Sequence, residues 1–173
     1  SQGMTRYAVA TDLVKKLTVF FAAGGATVSW FTIQYPDSKG TARGTFGDAH
    51  CTFDCKYNQY NPRLDAIAYY NMVNGICIKK FQEERTYADG VRAFLYRDKD
   101  GKCLQVLWRE DDRTDVFVPI AGVGRVELVR IDGSRLAMAS KGGVTVGVSR
   151  EPLLLLYDQK EGGLAVRLGE PAL

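Results

Sequence analysis

The sequence predicts an α+β chain that is mainly β: a short helical block leading into an antiparallel β domain. Three observations carry this. Two stretches repeat apolar residues every three or four positions, and both lie before residue 77. From Ile76 onward the period changes to two. The runs of that second part are separated by Asp-Gly and Gly-Gly turn pairs, with no helical stretch between them.

The first helix is expected over Thr5–Ala23. Val9, Leu13, Leu17 and Phe20 form its apolar stripe, widened by Phe21, and Gly24-Gly25 supplies the stop. Ala26–Ile33, centred on Trp30, follows as a strand that is apolar at most positions rather than alternating. That pattern suits a strand covered on both faces, as in a parallel sheet. Tyr35-Pro36 ends it, and a polar loop rich in Gly, Asp, Thr and Asn runs from Asp37 to Tyr60. Loops of that length in compact domains are often functional. A second helix is expected from Asn61 as N-cap and Pro62 as first helical residue to a stop at Asn74-Gly75.

Nine strands are then predicted: Ile76–Tyr87, Val91–Arg97, Cys103–Arg109, Thr114–Ile120, Arg125–Ile131, Leu136–Ser140, Val144–Val148, Pro152–Asp158 and Leu164–Leu168. Many short strands at regular spacing argue a β-sandwich or barrel. The expected domains are 1–78 and 79–173, with the seam near Gly75–Lys80.

A chain of 173 residues is long enough to bury a core without staples, so Cys51, Cys55, Cys77 and Cys103 read as reduced thiols. A Cys51–Cys55 bridge stays open for an exported protein. A net charge of +3 with scattered Lys and Arg gives no basis for nucleic-acid binding. No apolar run approaches the length that spans a membrane, and no signal peptide is visible at the start.

Several motifs stop short of a site. His50, Cys51 and Cys55 lie within ligand reach of a metal, but the second pair that zinc sites show is missing, so no metal and no cofactor are expected. Asp98–Gly101 begins like a calcium loop yet has no Glu at the twelfth position, which leaves a hairpin turn. Gly40–Gly47 lacks the Lys-Ser/Thr of a phosphate loop. With one His in the chain, a Cys nucleophile has no separate base and orienting partner. Phe94, Tyr96, Trp108 and Tyr157 lie on strands, as an aromatic strip for sugars or as core.

One arrangement draws these elements together. A helix, the Trp30 strand, a Gly/Asp-rich loop, the Asn61-Pro62-Arg63 entry to a helix ending at Asn74-Gly75, and then a β-rich region resemble the C-terminal part of clan-A (β/α)8 glycoside hydrolases. Val91–Arg97 with Leu104–Trp108, a hairpin ending in Leu-Trp, is similar to the ancillary β-sandwich of that family, as are Val118-Pro119-Ile120 and Glu151-Pro152-Leu153. The resemblance implies a partial barrel segment of two helices and one strand, joined to an antiparallel β-sandwich. It implies that Trp30 floors the sugar site, although a core Trp remains an equal reading. Asp48, His50 and Asn58 would then lie on the loop at the catalytic face of the barrel.

The chain departs from the family in one respect. Retaining enzymes of this kind act through two carboxyl groups about 5 Å apart, both Glu and both on earlier barrel strands. The first Glu here is Glu83, already inside the expected sandwich. The expected function is therefore the C-terminal portion of a glycoside hydrolase, not catalytic alone. Its expected partners are carbohydrate and the missing N-terminal barrel portion or a partner chain. The alternative is a non-catalytic module that binds carbohydrate or docks a partner through its sandwich, and a third is a structural domain assembling through a sheet edge.

Overall fold

The computed structural model describes residues 5–28, 53–54 and 61–159. The chain divides into two compact units, Ser1–Cys77 with Arg130–Ser134, and Ile78–Val129 with Arg135–Leu173.

In the first unit, helix α1 spans Arg6–Ala22. Thr5 caps it, its hydroxyl accepting from the Ala8 amide at 3.2 Å. At the other end Gly24 takes φ +88°, which only glycine adopts freely. The Gly24 amide then donates to the Phe21 carbonyl and the Gly25 amide to the Phe20 carbonyl, satisfying two end carbonyls in a Schellman closure. The expected stop was thus read correctly. Leu13 and Leu17 of the expected stripe are buried, together with Ala10, Val14 and Thr18, while Val9 is half-buried. Phe20 is exposed and meets the Phe21 ring edge-on at 5.2 Å.

Strands β1 (Phe53–Asp54) and β2 (Asn61–Pro62) pair antiparallel. Helix α2 follows over Leu64–Ile76. This corrects the expected helix start, because Asn61 and Pro62 are held extended in the bridge to β1 and Arg63 is the N-cap. It also moves the end. Asn74 turns its side-chain amide back to the Tyr70 carbonyl at 2.8 Å, and Gly75 is buried inside the helix. The chain leaves the helix only at Cys77 and Ile78, and Ile78 adopts φ +59°. That is a strained value for a β-branched side chain.

The two helices run parallel. Arg6, the first residue of α1, lies close enough to Asp65, the second of α2, to act on its charge. Thr18, well along α1, meets the sulfur of Met72, well along α2, at 4.0 Å. A parallel pair obliges the chain between them to travel back the length of a helix, about 25 Å for the 17 residues of α1. Short helical hairpins cannot do that.

The described residues of the second unit form strands and one 3₁₀ turn at Ala88–Gly90, with connecting turns. Its strands are β3 (Lys80–Tyr87), β4 (Val91–Arg97), β5 (Lys102–Trp108), β6 (Thr114–Pro119), β7 (Arg125–Val129), β8 (Arg135–Ala139), β9 (Gly143–Val148) and β10 (Leu153–Asp158). Eight of the nine expected strands are present; the expected strand at Leu164–Leu168 lies outside the described residues. The ends differ mostly by a residue or two, and most at β3, which starts at Lys80 because α2 occupies the chain through Ile76.

Six strands form one antiparallel sheet in the order β3-β4-β5-β10-β7-β8, and β6 pairs with β9 in a second. Val116, Val118, Val144, Val146 and Val148 of the small sheet share one core with Val91, Ala93, Leu107, Val126, Leu128, Leu153 and Leu155 of the large one. Two sheets packed on a common apolar layer make a sandwich. Among the described residues the chain is therefore mainly β with two helices and antiparallel sheets, the predicted fold class.

The strand β10 reads Leu-Leu-Leu-Leu-Tyr-Asp and sits at the centre of the large sheet, paired with β5 on one side and β7 on the other. Every residue of β5 from Cys103 to Trp108 is buried. The edge strand β3 carries Glu83, Glu84 and Arg85 and a bulge between Phe81 and Glu83, devices that discourage pairing with another chain.

Candidate functional site

The four residues expected at a sugar site, Trp30, Asp48, His50 and Asn58, lie outside the described residues, as do Cys51 and Cys55. The described part of the first unit contributes one unusual group. Asp65 is buried at the start of α2, and its Oδ1 has no hydrogen-bond partner. Burial pushes its carboxyl above the ordinary aspartate value; the helix-start amides of Asp65 and Ala66, with Arg6 and Arg63, only partly offset this.

In the sandwich, the four strand aromatics considered for a sugar strip are buried. Phe94 and Trp108 stack face to face with centroids 4.9 Å apart, and Phe81 meets the edge of Tyr96 at 5.6 Å. Trp108, Tyr96, Phe94 and Tyr157 are all buried, so these four offer no strip to a sugar. Arg92 lies over the Phe94 and Trp108 rings at 5.0 and 5.3 Å and pairs with Glu84 at 2.7 Å. Cys103 is a buried free thiol, pushed up by burial, and Cys77 is a free, exposed one.

The hairpin at Asp98–Gly101 is a turn, as expected. Asp98 Oδ1 accepts from the amides of Asp100 and Lys102, both at 2.9 Å, and Gly101 closes the turn at φ +84°. Among the described residues no three His, Cys, Asp or Glu side chains converge as metal ligands, and no helix is long and apolar enough to cross a membrane.

Four described glutamates of the sandwich are each engaged by a neighbouring side chain. Glu83 pairs with Arg85, Glu84 with Arg92 and Glu127 with Arg135 at 3.0 Å, while Glu110 accepts from the Trp108 indole at 3.1 Å. Glu83 and Glu84 are adjacent on β3, Glu127 lies on β7 and Glu110 on the loop after β5, each held by its own neighbour.

Two surface features escaped the sequence reading. One is a cleft of about 510 Å³ where β7 meets β10, with Arg125, Glu127 and Asp158 beside the bare turn Gly122–Gly124. Its polar groups suit hydroxyl-bearing or charged solutes, and Tyr157, itself mostly buried, is the one aromatic in its lining. The partners are some thirty residues apart in sequence, so no local motif announces them.

The other is the outer face of the β6–β9 sheet. With Val116 and Val118 turned inward, Asp115, Phe117 and Pro119 face outward opposite Gly147, Thr145 and Gly143. Phe117 is 55% exposed. Its ring lies where a Cβ on Gly143 would be, and the Arg113 guanidinium lies where a Cβ on Gly147 would be. The signal was available: Phe117 is an aromatic in the polar register of an alternating strand.

No family model matches the chain, and no curated protein does. Among solved structures, the chain is similar to a family 39 glycoside hydrolase from the gut symbiont Bacteroides cellulosilyticus WH2, at 15% identity and a TM-score of 0.62. The match covers 90% of this chain and 31% of that one. Shorter likenesses, with TM-scores of 0.35 and 0.32, are to a proposed α-N-acetylgalactosaminidase of Bacillus halodurans C-125 and a proposed α-galactosidase of Bacteroides fragilis NCTC 9343. They run over 52% and 48% of this chain, 22% and 18% of theirs, at 13% and 8% identity. The chain thus has the fold of a portion, less than a third in length, of a family 39 glycoside hydrolase.

Proposed function

We propose that this chain is the C-terminal portion of a glycoside hydrolase. In this reading residues 1–78 close a (β/α)8 barrel, residues 79–173 brace it as a sandwich, and the catalytic carboxylates belong to the N-terminal portion. The observation that carries the reading is the parallel helix pair followed by a sandwich, in an order that matches a glycosidase over 90% of the chain. Parallel neighbours joined by a returning strand are the repeating unit of such barrels. The returning strand belongs to this reading: Ala26–Val28 lie outside any strand, and the rest of the expected Ala26–Ile33 strand lies outside the described residues. Eight extended residues would span about 26 Å, enough to bring the chain back along α1. Exposed Tyr7, Val19, Phe20, Tyr70 and Val73 on the two helices are surface of the kind that neighbouring barrel elements cover.

Chemistry then divides between two portions. Trp30, at the end of the eighth barrel strand, offers its ring to the C–H face of a pyranose and fixes the sugar against the reacting groups. Asp48, His50 and Asn58, on the loop that follows, hydrogen-bond its hydroxyls. Positioning is their contribution in this reading, because no Glu precedes Glu83 to donate a proton or attack the sugar from a barrel strand.

The test is hydrolysis of aryl glycosides and oligosaccharides by the full-length protein, by this chain, and by full-length Trp30→Ala. The expected result is an active full-length protein, an inactive chain, and a variant at least tenfold lower in kcat/KM. An active isolated chain would overturn the reading, as would a full-length protein inactive on every glycoside tried.

A further inference from the structure

We infer that the outer face of the β6–β9 sheet is a second carbohydrate site, a flat platform centred on Phe117 that takes a neutral polysaccharide. The class of ligand rests on the proposed function above; the site rests on the geometry. Three features of the strip point the same way. The Phe117 ring folds down over Gly143 and the Arg113 guanidinium over Gly147, so both planar groups lie along the sheet rather than standing off it. Larger residues at those two glycines would push them up. Thr145 stands directly opposite Phe117, adding a hydroxyl beside the ring. Asp115 lies 3.9 Å from Arg113 on the exposed surface, so a donor fork and an acceptor sit together at the far end of the strip.

An aromatic face presented flat, with polar groups at its margin, matches a pyranose, which has an apolar C–H face and a rim of hydroxyls. From Arg113 to Phe117 the strip runs roughly 13 Å along the strand, enough for a short run of sugar units rather than one. Its charge is balanced, since the one guanidinium is accompanied by a carboxylate. That disfavours nucleic acid, which needs an uncompensated basic surface. One exposed aromatic on a two-stranded face also falls far short of the roughly 800 Å² per partner of a stable protein interface. A neutral glycan is the occupant that both size and charge allow.

The test is affinity electrophoresis of the 173-residue chain through gels carrying soluble xylan, mixed-linkage β-glucan or galactomannan. Phe117→Ala and Thr145→Arg run alongside, with thermal melts of each. Phe117→Ala removes the ring, and Thr145→Arg covers it from the neighbouring strand without touching the core. Retardation of the chain by at least one glycan, weakened tenfold or more in both variants, is the expected result. No retardation in any gel overturns the inference, and so does retention in either variant. A dimer that dissociates in Phe117→Ala without glycan binding assigns the face to a second copy and equally overturns it. Hydrolysis by the full-length protein is scored separately: an active enzyme whose C-terminal chain ignores all three glycans refutes this inference alone, whereas a glycan-binding chain with an inactive parent refutes only the proposed function.

Discussion

The two units bury very different surfaces. Among its described residues the helical unit buries Ala10, Ala66, Ala68 and Gly75 with Thr18, Asn71 and Asp65, beside the larger Leu13, Val14, Leu17, Met72 and Ile76. The sandwich buries a continuous layer of Val, Leu and Ile between two sheets. Small residues let two helices approach closely but contribute little transfer free energy each, whereas a filled Leu or Val contributes about 1.5–3 kcal/mol. A parallel helix pair is also one slice of a repeating architecture, while a two-sheet sandwich closes its own core. In the proposed reading the helical unit is completed by the N-terminal portion, whereas the sandwich closes a core of its own.

Cutting the chain at the proposed boundary tests that contrast most severely. Residues 79–173 alone should unfold cooperatively in guanidinium, and residues 1–78 alone should show no cooperative transition. A cooperative melt of the helical piece by itself would break the comparison.

A smaller effect is expected from one core truncation. Leu155, fully buried at the centre of the large sheet, should cost about 2–5 kcal/mol when replaced by Ala. Chemical denaturation followed through the indole emission of Trp108 would report it, with Trp30 replaced by Phe to leave a single probe. A cost below about 1 kcal/mol would mean that the sheet layer is not the load it is taken to be.

The smallest effect concerns pH, and the two units should respond with opposite sign. Asp65 has its folded pKa raised above 3.8 by burial. Its stabilising contribution is therefore fully present below the unfolded value and is lost as pH rises through the raised one. Asp98 is the reverse. Burial raises it, but the amides of Lys102 and Asp100 outweigh that and its pKa falls below 3.8. Its contribution is present above the unfolded value and is lost as pH drops through the lowered one. Asp65→Asn should flatten the decline in stability on the alkaline side of pH 3.8, and Asp98→Asn the decline on the acidic side. Denaturation midpoints from pH 2.5 to 7 measure both. Slopes of the same sign would remove the distinction.

Much of the fold was legible because local chemistry specified it. Thr5 and Gly24-Gly25 bracket α1 by hydrogen bonds that lie within a few residues of sequence. The Asp-Gly and Gly-Gly pairs place the sandwich turns to within a residue or two. Local rules failed where a distant partner won: Asn61 and Pro62 carry the signature of a helix start, yet they pair with Phe53–Asp54 instead. Asn74 and Gly75 read as a stop, yet the Asn74 amide returns to the Tyr70 carbonyl and the helix continues. Of the candidate sugar site, Trp30 and its loop remain a reading of the sequence.

The sequence by itself determined where helices give way to strands, where the sandwich turns fall, and that no Glu precedes Glu83. Each of these follows from residue identity or from contacts a few positions apart. Tertiary structure alone decided that α1 and α2 run parallel, that β10 enters between β5 and β7, and that β6 leaves the large sheet to pair with β9. It also decided that Trp108 and Tyr96 are core while Phe117 faces solvent. All these residues are aromatic and sit on strands. The polar register of β6 marks Phe117, but on β5 every residue from Cys103 to Trp108 is buried, and which faces of a strand are covered depends on packing that spacing does not record.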